Sequence, residues 1–216
     1  MQLKTDMAKQ NKLCFGYDPG GKDAAGVATI EVGSERLTYK LGTVSSVDEA
    51  LDWFVSESEC SPHAMGIDTY LYWETGISGW RGADRWLRKT YPDVKRSVFA
   101  SNSAFGSMAV QGMATAIRTR EMWPEIALNE THPKVLYKAL SGQKYKWGKD
   151  MNDWLLEKIG EANGPMISND HEFDAPISAW AAMQVDTQQW TNNLLHLSEN
   201  TVQPAGPVSY YWPDCL

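Results

Sequence analysis

The feature that most constrains the fold of this chain is a pair of apolar runs joined by an Asp-Pro-Gly turn. The first run covers residues 13–18 and ends in an acid, and the chain then turns through Pro19 and Gly20 and returns as a second β-rich run over residues 25–32. Two such runs separated by Pro and Gly predict two antiparallel strands. Gly16 removes a side chain just before the acid, which lets another backbone or a ligand approach closely.

Asp18 ends the first predicted strand, and its position has two interpretations. An acid at the tip of a buried strand is costly to remove from water unless something pairs with it, and a divalent cation is an obvious partner. The alternative is that Asp18 only starts the Asp-Pro-Gly turn. The residues of this stretch leave both interpretations open.

Length and charge limit the class of protein. A chain of 216 residues is long enough for one sizeable core. The net charge of −7 argues against non-specific binding of nucleic acid, although not against a local basic groove or an acidic metal site. The three cysteines are far apart and form neither a disulfide framework nor a zinc pattern. With no signal-peptide pattern and no apolar run of about 20 residues, we expect a cytoplasmic protein without a membrane segment.

The order of predicted elements indicates an α/β fold with a mixed sheet, in which the first strands are antiparallel and later strands are joined by helical crossovers. We expect a flexible tail over 1–12, one domain over 13–190 and an irregular extension over 191–216. The predicted strands are 13–18, 25–32, 36–44, 64–68, 94–99 and 126–129, and the predicted helices are 46–59, 83–90, 106–122, 133–140, 150–160 and 172–186.

Acids stand at the ends of three predicted strands, at Asp18, Asp68 and Glu130. Sites in open α/β sheets cluster at the carboxyl ends of strands. A fourth acid, Asp174, lies early in the last helix, and His171 is three residues before it, so that both side chains would share one helix face. Four such groups would hold two Mg²⁺ or Mn²⁺ ions about 3.5–4 Å apart, the arrangement that cleaves phosphodiesters.

Each of these residues also has a structural interpretation. Asp68 would begin a turn, Glu130 would pair with Lys134, and Asp174 would cap the last helix. His171 alone is more often a surface histidine than a ligand. The common placement of the acids at element ends favours a metal site, and their hard oxygen atoms favour Mg²⁺ over zinc.

Several motifs resemble those of a known superfamily. The run Gly16-Tyr17-Asp18-Pro19-Gly20 followed by Gly26-Val27-Ala28 resembles the first hairpin of RNase H-like nucleases, those related to the RuvC resolvases in particular. The run His171-Glu172-Phe173-Asp174-Ala175 resembles their last-helix motif. The runs Gly66-Ile67-Asp68 and Glu130-Thr131-His132-Pro133 are similar to an uncharacterised bacterial family of predicted RNase H-like nucleases.

This resemblance implies an RNase H-like sheet with Asp18, Asp68 and Asp174 as Mg²⁺ or Mn²⁺ ligands. Glu130 and His171 would be further catalytic members of the site. The chain departs from the pattern in two places. Pro176 follows the helix acid, so the last helix would have to start late or kink, and Asp23 is a rival acid near Asp18.

Basic and aromatic residues outside the acids suggest contacts with a substrate. Lys144, Lys146 and Trp147 interleave charge and aromatic surface, which suits base stacking and phosphate contact, and Arg81 belongs to a second basic region. A solvated loop or helix face is the alternative for both. An apolar stripe at helical spacing predicts core contacts for Met108, Val110, Met113 and Ile117.

The sequence therefore predicts a metal-dependent nuclease acting on DNA or RNA. In that hypothesis Glu130 holds a metal or orients the attacking water, and His171 assists proton transfer. Two alternatives keep the same fold. One is an actin-like ATPase or small-molecule kinase, although that class needs two such domains and glycine-rich phosphate loops. The other is a non-catalytic binding protein.

Overall fold

The computed structural model describes residues 12–33, 37–76, 78–103, 106–159 and 165–214. The predicted tail over 1–12 falls outside these ranges except for its last residue. The strands are β1 (Lys12–Asp18), β2 (Ala25–Val32), β3 (Leu37–Val44), β4 (Ala64–Ile67), β5 (Trp73–Glu74), β6 (Ala127–Glu130), β7 (Asn192–Asn193), β8 (Thr201–Val202), β9 (Val208–Ser209) and β10 (Tyr211–Trp212). The α-helices are α1 (Val47–Ser56), α2 (Gly82–Thr90), α3 (Ser107–Met122), α4 (Pro133–Ser141), α5 (Lys149–Ile159) and α6 (His171–Asp186).

A six-stranded mixed sheet in the order β3-β2-β1-β4-β6-β9 forms the centre of the fold. β1 pairs antiparallel with β2, and β2 pairs antiparallel with β3. β4 is parallel to β1, β6 is parallel to β4, and β9 is parallel to β6. This confirms the predicted RNase H-like sheet, an antiparallel meander followed by parallel strands and flanked by helices. The carboxyl ends of β1, β4 and β6 therefore lie at one edge of the sheet.

Helix α6 packs on this sheet at backbone distance because three neighbouring strands carry a glycine beneath it. A side chain larger than hydrogen at any of these positions would overlap the main chain of the helix. A Cβ added to Gly26 would lie 2.1 Å from the carbonyl oxygen of His171. A Cβ added to Gly16 would lie 2.0 Å from the carbonyl oxygen of Ala175, and one added to Gly66 would lie 2.0 Å from the carbonyl oxygen of Ser178. The helix therefore crosses β2, β1 and β4 with successive turns in direct contact with the sheet.

Helix α3 corrects one prediction. Met108 and Val110, which the apolar stripe assigned to the core, are 46% and 65% exposed. The buried face of α3 instead carries Gly112, Thr115, Ala116 and Thr119. The reason is close approach, because a Cβ added to Gly112 would lie 2.5 Å from the Thr69 side chain. Only small residues fit on that face. The other two residues of the predicted stripe, Met113 and Ile117, are partly buried and pack against the core.

One other local prediction was wrong. The predicted strand over 94–99 is a 3₁₀ helix over Pro92–Ser97, and Pro92 suits its first turn because proline lacks the amide hydrogen that a first-turn residue leaves unpaired. Of the two accommodations expected for Pro176, a late start or a kink, the late start does not occur, since α6 begins at His171 and contains Pro176.

The C-terminal segment contributes to the main sheet through β9, which pairs with β6. The buried amide of Asn129 fixes this pairing, because its Oδ1 accepts hydrogen bonds from the Ser209 hydroxyl (3.0 Å) and the Tyr211 backbone N–H (2.9 Å). β8 pairs with β5, and β7 pairs with β10. Among the described residues, none of the helices has the length and apolar character needed to cross a membrane.

The glycine contacts predict that Gly66→Ala destabilises the protein by about 1–3 kcal/mol, the usual cost of overpacking a core. The new methyl group would meet the Ser178 carbonyl, which belongs to a helix backbone and has little room to move. Urea unfolding measures the change. Gly21→Ala is the matched control, because nothing lies within 4 Å of a Cβ added there. Equal stability of the two variants would contradict direct packing of α6 on β4.

Candidate metal centre

Three carboxylates from three elements converge at the carboxyl edge of the sheet. Asp18 ends β1, Asp68 follows β4, and Asp174 lies in the first turn of α6. One oxygen from each lies within 4.8 Å of the others. The fold sets this geometry, because the Asp68 backbone N–H donates to the Tyr17 carbonyl of the parallel neighbour (2.9 Å) and α6 packs on both strands at their glycines.

Two of the three acids are buried, Asp68 is partly buried, and the three repel one another. Asp18 is 2% exposed and Asp174 is 3% exposed. Burial raises the pKa of Asp18. Burial, and then the neighbouring Asp18 carboxylate, raises the pKa values of Asp68 and Asp174 well above the ordinary range. Three ionised carboxylates in this space therefore need a compensating positive charge.

His171 provides part of that charge. Its Nδ1 lies 2.6 Å from Asp18 Oδ2. The hydrogen bond to Asp18 raises the pKa of the His171 imidazole and burial opposes it, so that the net shift is upward. The ring is 29% exposed, and Nε2 has no hydrogen-bond partner among the described residues. His171 is therefore oriented by Asp18 and remains open to solvent on its other side.

Tyr145 and Lys134 also belong to the site, and sequence reasoning did not assign them to it. The Tyr145 hydroxyl donates to Asp174 Oδ1 (2.8 Å), and Lys134 Nζ lies 5.6 Å from the centre of the Tyr145 ring. The Lys134 charge acts to lower the pKa values of all three acids. A signal for Tyr145 was present, because it stands inside the basic and aromatic loop that the sequence singled out.

That loop is exposed beside the cluster. Tyr145 brings it against Asp174, and its neighbours Lys144, Lys146 and Trp147 are exposed, with Trp147 at 37%. A contact of these three residues with substrate remains a prediction.

Glu130 and Arg81 do not have the surroundings that the sequence predicted. Arg81 is fully buried, which rules out its predicted contact with substrate. Its two terminal nitrogens donate to Glu130 Oε1 (2.6 Å) and Oε2 (2.7 Å) in a bidentate pair, and Asp84 binds the other edge of the guanidinium. Both Glu130 oxygens are thus occupied by Arg81, and Glu130 is not one of the three converging carboxylates. The pairing gives Glu130 an anchoring role, and the catalytic role predicted for it stays a prediction.

The anchor holds the chain that follows Asp68. Glu130 Oε2 also accepts from the Leu71 backbone N–H (2.9 Å), and Arg81 donates to the Tyr72 carbonyl (3.1 Å). Burial lowers the pKa of the Arg81 guanidinium, but the carboxylates of Glu130 and Asp84 outweigh it, and the pKa lies well above its ordinary value. Arg81 is therefore charged at every physiological pH and locks residues 71 and 72 in place.

Asp23 is not a rival ligand. It is exposed at a turn, has a φ of 55°, and accepts a hydrogen bond from the Ser45 hydroxyl (2.6 Å). Aspartate is among the few residues that tolerate this left-handed conformation, because its short side chain bonds locally. The acid cluster among the described residues is Asp18, Asp68 and Asp174.

The molecule thus has an RNase H-like α/β fold with an acidic triad at the carboxyl edge of its sheet. No protein-family model matches the chain, and no curated protein is similar to it at a significant level. Among solved structures, the RuvC structure of Thermus thermophilus is similar, with 14% sequence identity and a TM-score of 0.46 over 82% of this chain and 96% of that one. The fold class follows from the strand order and register of the sheet itself.

The ion pair predicts that Glu130→Gln destabilises the protein by about 3 kcal/mol, because it leaves Arg81 buried with only one of its two carboxylate partners. Chemical unfolding measures the loss. Glu125→Gln is the control, since Glu125 is exposed and the same substitution there removes no buried partner. A Glu130→Gln variant as stable as this control would show that Glu130 does not anchor the site.

The raised pKa of Asp68 predicts a pH-dependent gain in stability for Asp68→Asn in the metal-free protein. When the pKa of a carboxyl group in the folded state lies above its unfolded value, about 3.9, the protein loses stability as the pH rises through the folded-state pKa. The wild type has this loss of stability, and Asp68→Asn, whose amide does not ionise, lacks it. The melting temperature of Asp68→Asn should therefore exceed that of wild type by about 2–4 °C at neutral pH and match it near pH 4.

The Asp68 carboxylate has no hydrogen-bond partner among the described residues, so the substitution removes repulsion without removing a bond. Asp23→Asn is the matched control and should follow the wild-type pH profile. A pH-independent difference between Asp68→Asn and wild type would contradict the repulsion among the three acids.

Proposed function

We propose that this protein is a metal-dependent nuclease that hydrolyses phosphodiester bonds in DNA or RNA, using Mg²⁺ or Mn²⁺. The observation that carries the proposal is the convergence of Asp18, Asp68 and Asp174, whose oxygens lie within 4.8 Å of one another. The first and last sequence motifs that resemble RNase H-like nucleases supply two of these acids. A place in the uncharacterised bacterial family of predicted RNase H-like nucleases is part of the same proposal.

The residues fit a hard divalent cation. Carboxylate oxygens are the ligands that Mg²⁺ and Mn²⁺ prefer, and the burial and repulsion that raise the pKa values of these acids are relieved by a cation between them. Asp18, Asp68 and Asp174 would hold the metal. When bound, it would polarise the scissile phosphate and stabilise the charge that develops during cleavage.

The remaining polar residues of the site position groups and move protons. Asp18 fixes the His171 ring through Nδ1, which leaves Nε2 to exchange a proton with water. The hydrogen bond to Asp18 raises the pKa of the His171 imidazole above its ordinary value, and histidine is the side chain that most often transfers protons in catalysis. Tyr145 holds the Asp174 carboxylate in one orientation, and Lys134 adds positive charge where phosphate would approach an acidic site.

The experiment combines cleavage with metal binding. Wild-type protein should cleave labelled single-stranded DNA, duplex DNA or RNA in Mg²⁺ or Mn²⁺ and not in EDTA, and Mn²⁺ should raise its melting temperature. Asp174→Asn should reduce cleavage at least about 100-fold, since several kcal/mol of charge stabilisation are lost, and should also shrink the Mn²⁺ shift. His171→Gln should reduce cleavage about 100-fold or more while most of the Mn²⁺ shift remains.

Asp23→Asn is the control for these variants, because it makes the same chemical change in an exposed acid outside the cluster. It should keep both cleavage and the Mn²⁺ response. Equal Mn²⁺ shifts for wild type and Asp174→Asn would show that Asp174 does not hold the metal. A clear Mn²⁺ response without cleavage of any of these substrates would instead favour a binding protein that retains the metal site.

A further inference from the structure

A cleft of about 500 Å³ opens beside the acidic triad and is not explained by metal binding. Asp68 lines it, so one wall of the cleft is also an edge of the candidate metal centre. The rest of its lining includes the start of α3, the end of the 3₁₀ helix at Pro92–Ser97 with Phe99 beyond it, and residues between 130 and 134. Its volume lies in the range of pockets for small organic groups, about 300–1,000 Å³.

The cleft presents apolar surface to solvent. Phe99 is 61% exposed and Met108 is 46% exposed, and both line it. Met108 is one of the residues whose spacing predicted a core position, and α3 turns it toward the cleft because Gly112 takes the inward position. Large exposed apolar side chains that share one concave surface, rather than being scattered, mark a binding site.

The backbone that carries Phe99 is braced although its ring is exposed. Three successive carbonyls accept hydrogen bonds from side chains of three different segments. The donors are His132 Nε2 to Ser97 (2.9 Å), Arg88 to Val98 (2.8 Å) and the Tyr70 hydroxyl to Phe99 (3.2 Å). Burial lowers the pKa of His132 to about 4, so this ring is neutral and its Nε2–H is a stable donor. The backbone from which the Phe99 ring extends is therefore held in place, which limits the backbone entropy lost on binding.

Two positive charges stand at the cleft. Lys134 lines it and also acts on all three acids. Arg96 lines it and is exposed, with no hydrogen-bond or ion-pair partner among the described residues. The hydroxyls of Thr69 and Ser97 line the same space and likewise lack a hydrogen-bond partner in the described part of the chain. The cleft thus combines an aromatic platform, neutral hydrogen-bonding groups and cations.

That combination matches an unpaired nucleotide. An aromatic side chain stacks on a base, hydroxyl groups bond to its edges, and arginine and lysine bind the adjoining phosphates. A base inside a duplex cannot enter such a cleft because it is stacked and paired. The outer surface of a duplex is its charged backbone, which does not suit the apolar walls of the cleft.

The geometry points to a subsite for one unpaired nucleobase of a single-stranded nucleic acid, stacked against Phe99 and flanked by Arg96 and Lys134. The position of Asp68 on its wall would place the adjoining phosphate at the metal centre. The link to cleavage rests on the proposed nuclease function, whereas the binding of single strands does not require it.

The test is fluorescence anisotropy with a labelled 12-nucleotide DNA of mixed sequence, free or annealed to its complement, in Ca²⁺. The single strand should bind at least tenfold more tightly than the duplex. Phe99→Ala should weaken single-strand binding about 5- to 150-fold, the range for one base stacked on an aromatic ring, and should leave duplex binding unchanged. Arg96→Ala should weaken single-strand binding and reduce its salt dependence.

Two matched variants serve as controls. Lys95→Ala removes the same charge from the exposed neighbour of Arg96 that does not line the cleft, and Val202→Ala removes an exposed apolar side chain on β8. Both should bind the single strand as wild type does. Phe99 and Arg96 are exposed, so their variants should fold, and an unchanged melting temperature checks this.

The outcomes separate this inference from the proposed function. Single-strand binding lost in Phe99→Ala but kept in Lys95→Ala supports the subsite, even if Mn²⁺ has no effect and the nuclease proposal fails. Equal affinity of wild type, Phe99→Ala and Arg96→Ala overturns the subsite, even if Mn²⁺ binding and cleavage are normal. Tighter binding of the duplex than of the single strand also overturns it, as does binding of neither.

Discussion

The close packing of α6 on the sheet is the constraint on which the rest of this structure depends. Glycines on β2, β1 and β4 let three successive turns of the helix contact the strands at main-chain distance. Because Asp18 ends the middle strand and Asp174 lies in the helix turn above it, this packing also sets the distance between the two acids. The same helix–sheet contacts therefore determine both the packing of the core and the geometry of the candidate metal centre. Any residue with a Cβ at these positions would move the helix, and with it the acid.

Two clusters of acidic residues differ in how their negative charge is balanced. Glu130 and Asp84 share the internal cation Arg81, which satisfies their oxygens and fixes the loop after Asp68. Within the described part of the chain, Asp18, Asp68 and Asp174 are balanced by His171, Tyr145 and the more distant charge of Lys134. Buried acids that carry their own counter-ion stabilise structure, and buried acids without one are able to take a cation from solution. The Glu130–Asp84 cluster therefore stabilises the fold, whereas the Asp18–Asp68–Asp174 cluster is the candidate metal site.

The sequence predicted the mixed sheet from local signals, namely apolar runs and turns. An acid at the end of a buried element marked four candidates, and the choice of Asp18, Asp68 and Asp174 among them came from the resemblance to RNase H-like nucleases. Glu130 carries the same local signal as Asp68, but its partner Arg81 is 49 positions away in the chain, and no spacing rule brings the two together. The stripe on α3 shows a second limit. Met108 and Val110 have core periodicity, yet periodicity alone cannot say whether an apolar face meets a core or a cleft. Both limits concern contacts between distant segments.

The pairing of β9 with β6 has a consequence for the order of events during synthesis. Tyr210 follows β9 directly, is buried, and lies with its ring 5.8 Å from the Arg81 guanidinium. During synthesis from the N-terminus, Arg81 lacks the Tyr210 ring, and β6 lacks its partner β9, until residues 208–212 have been made. The charge that braces the loop after Asp68 is thus enclosed last. Until then the nascent domain has an unpaired edge on β6, the kind of edge that other chains bind.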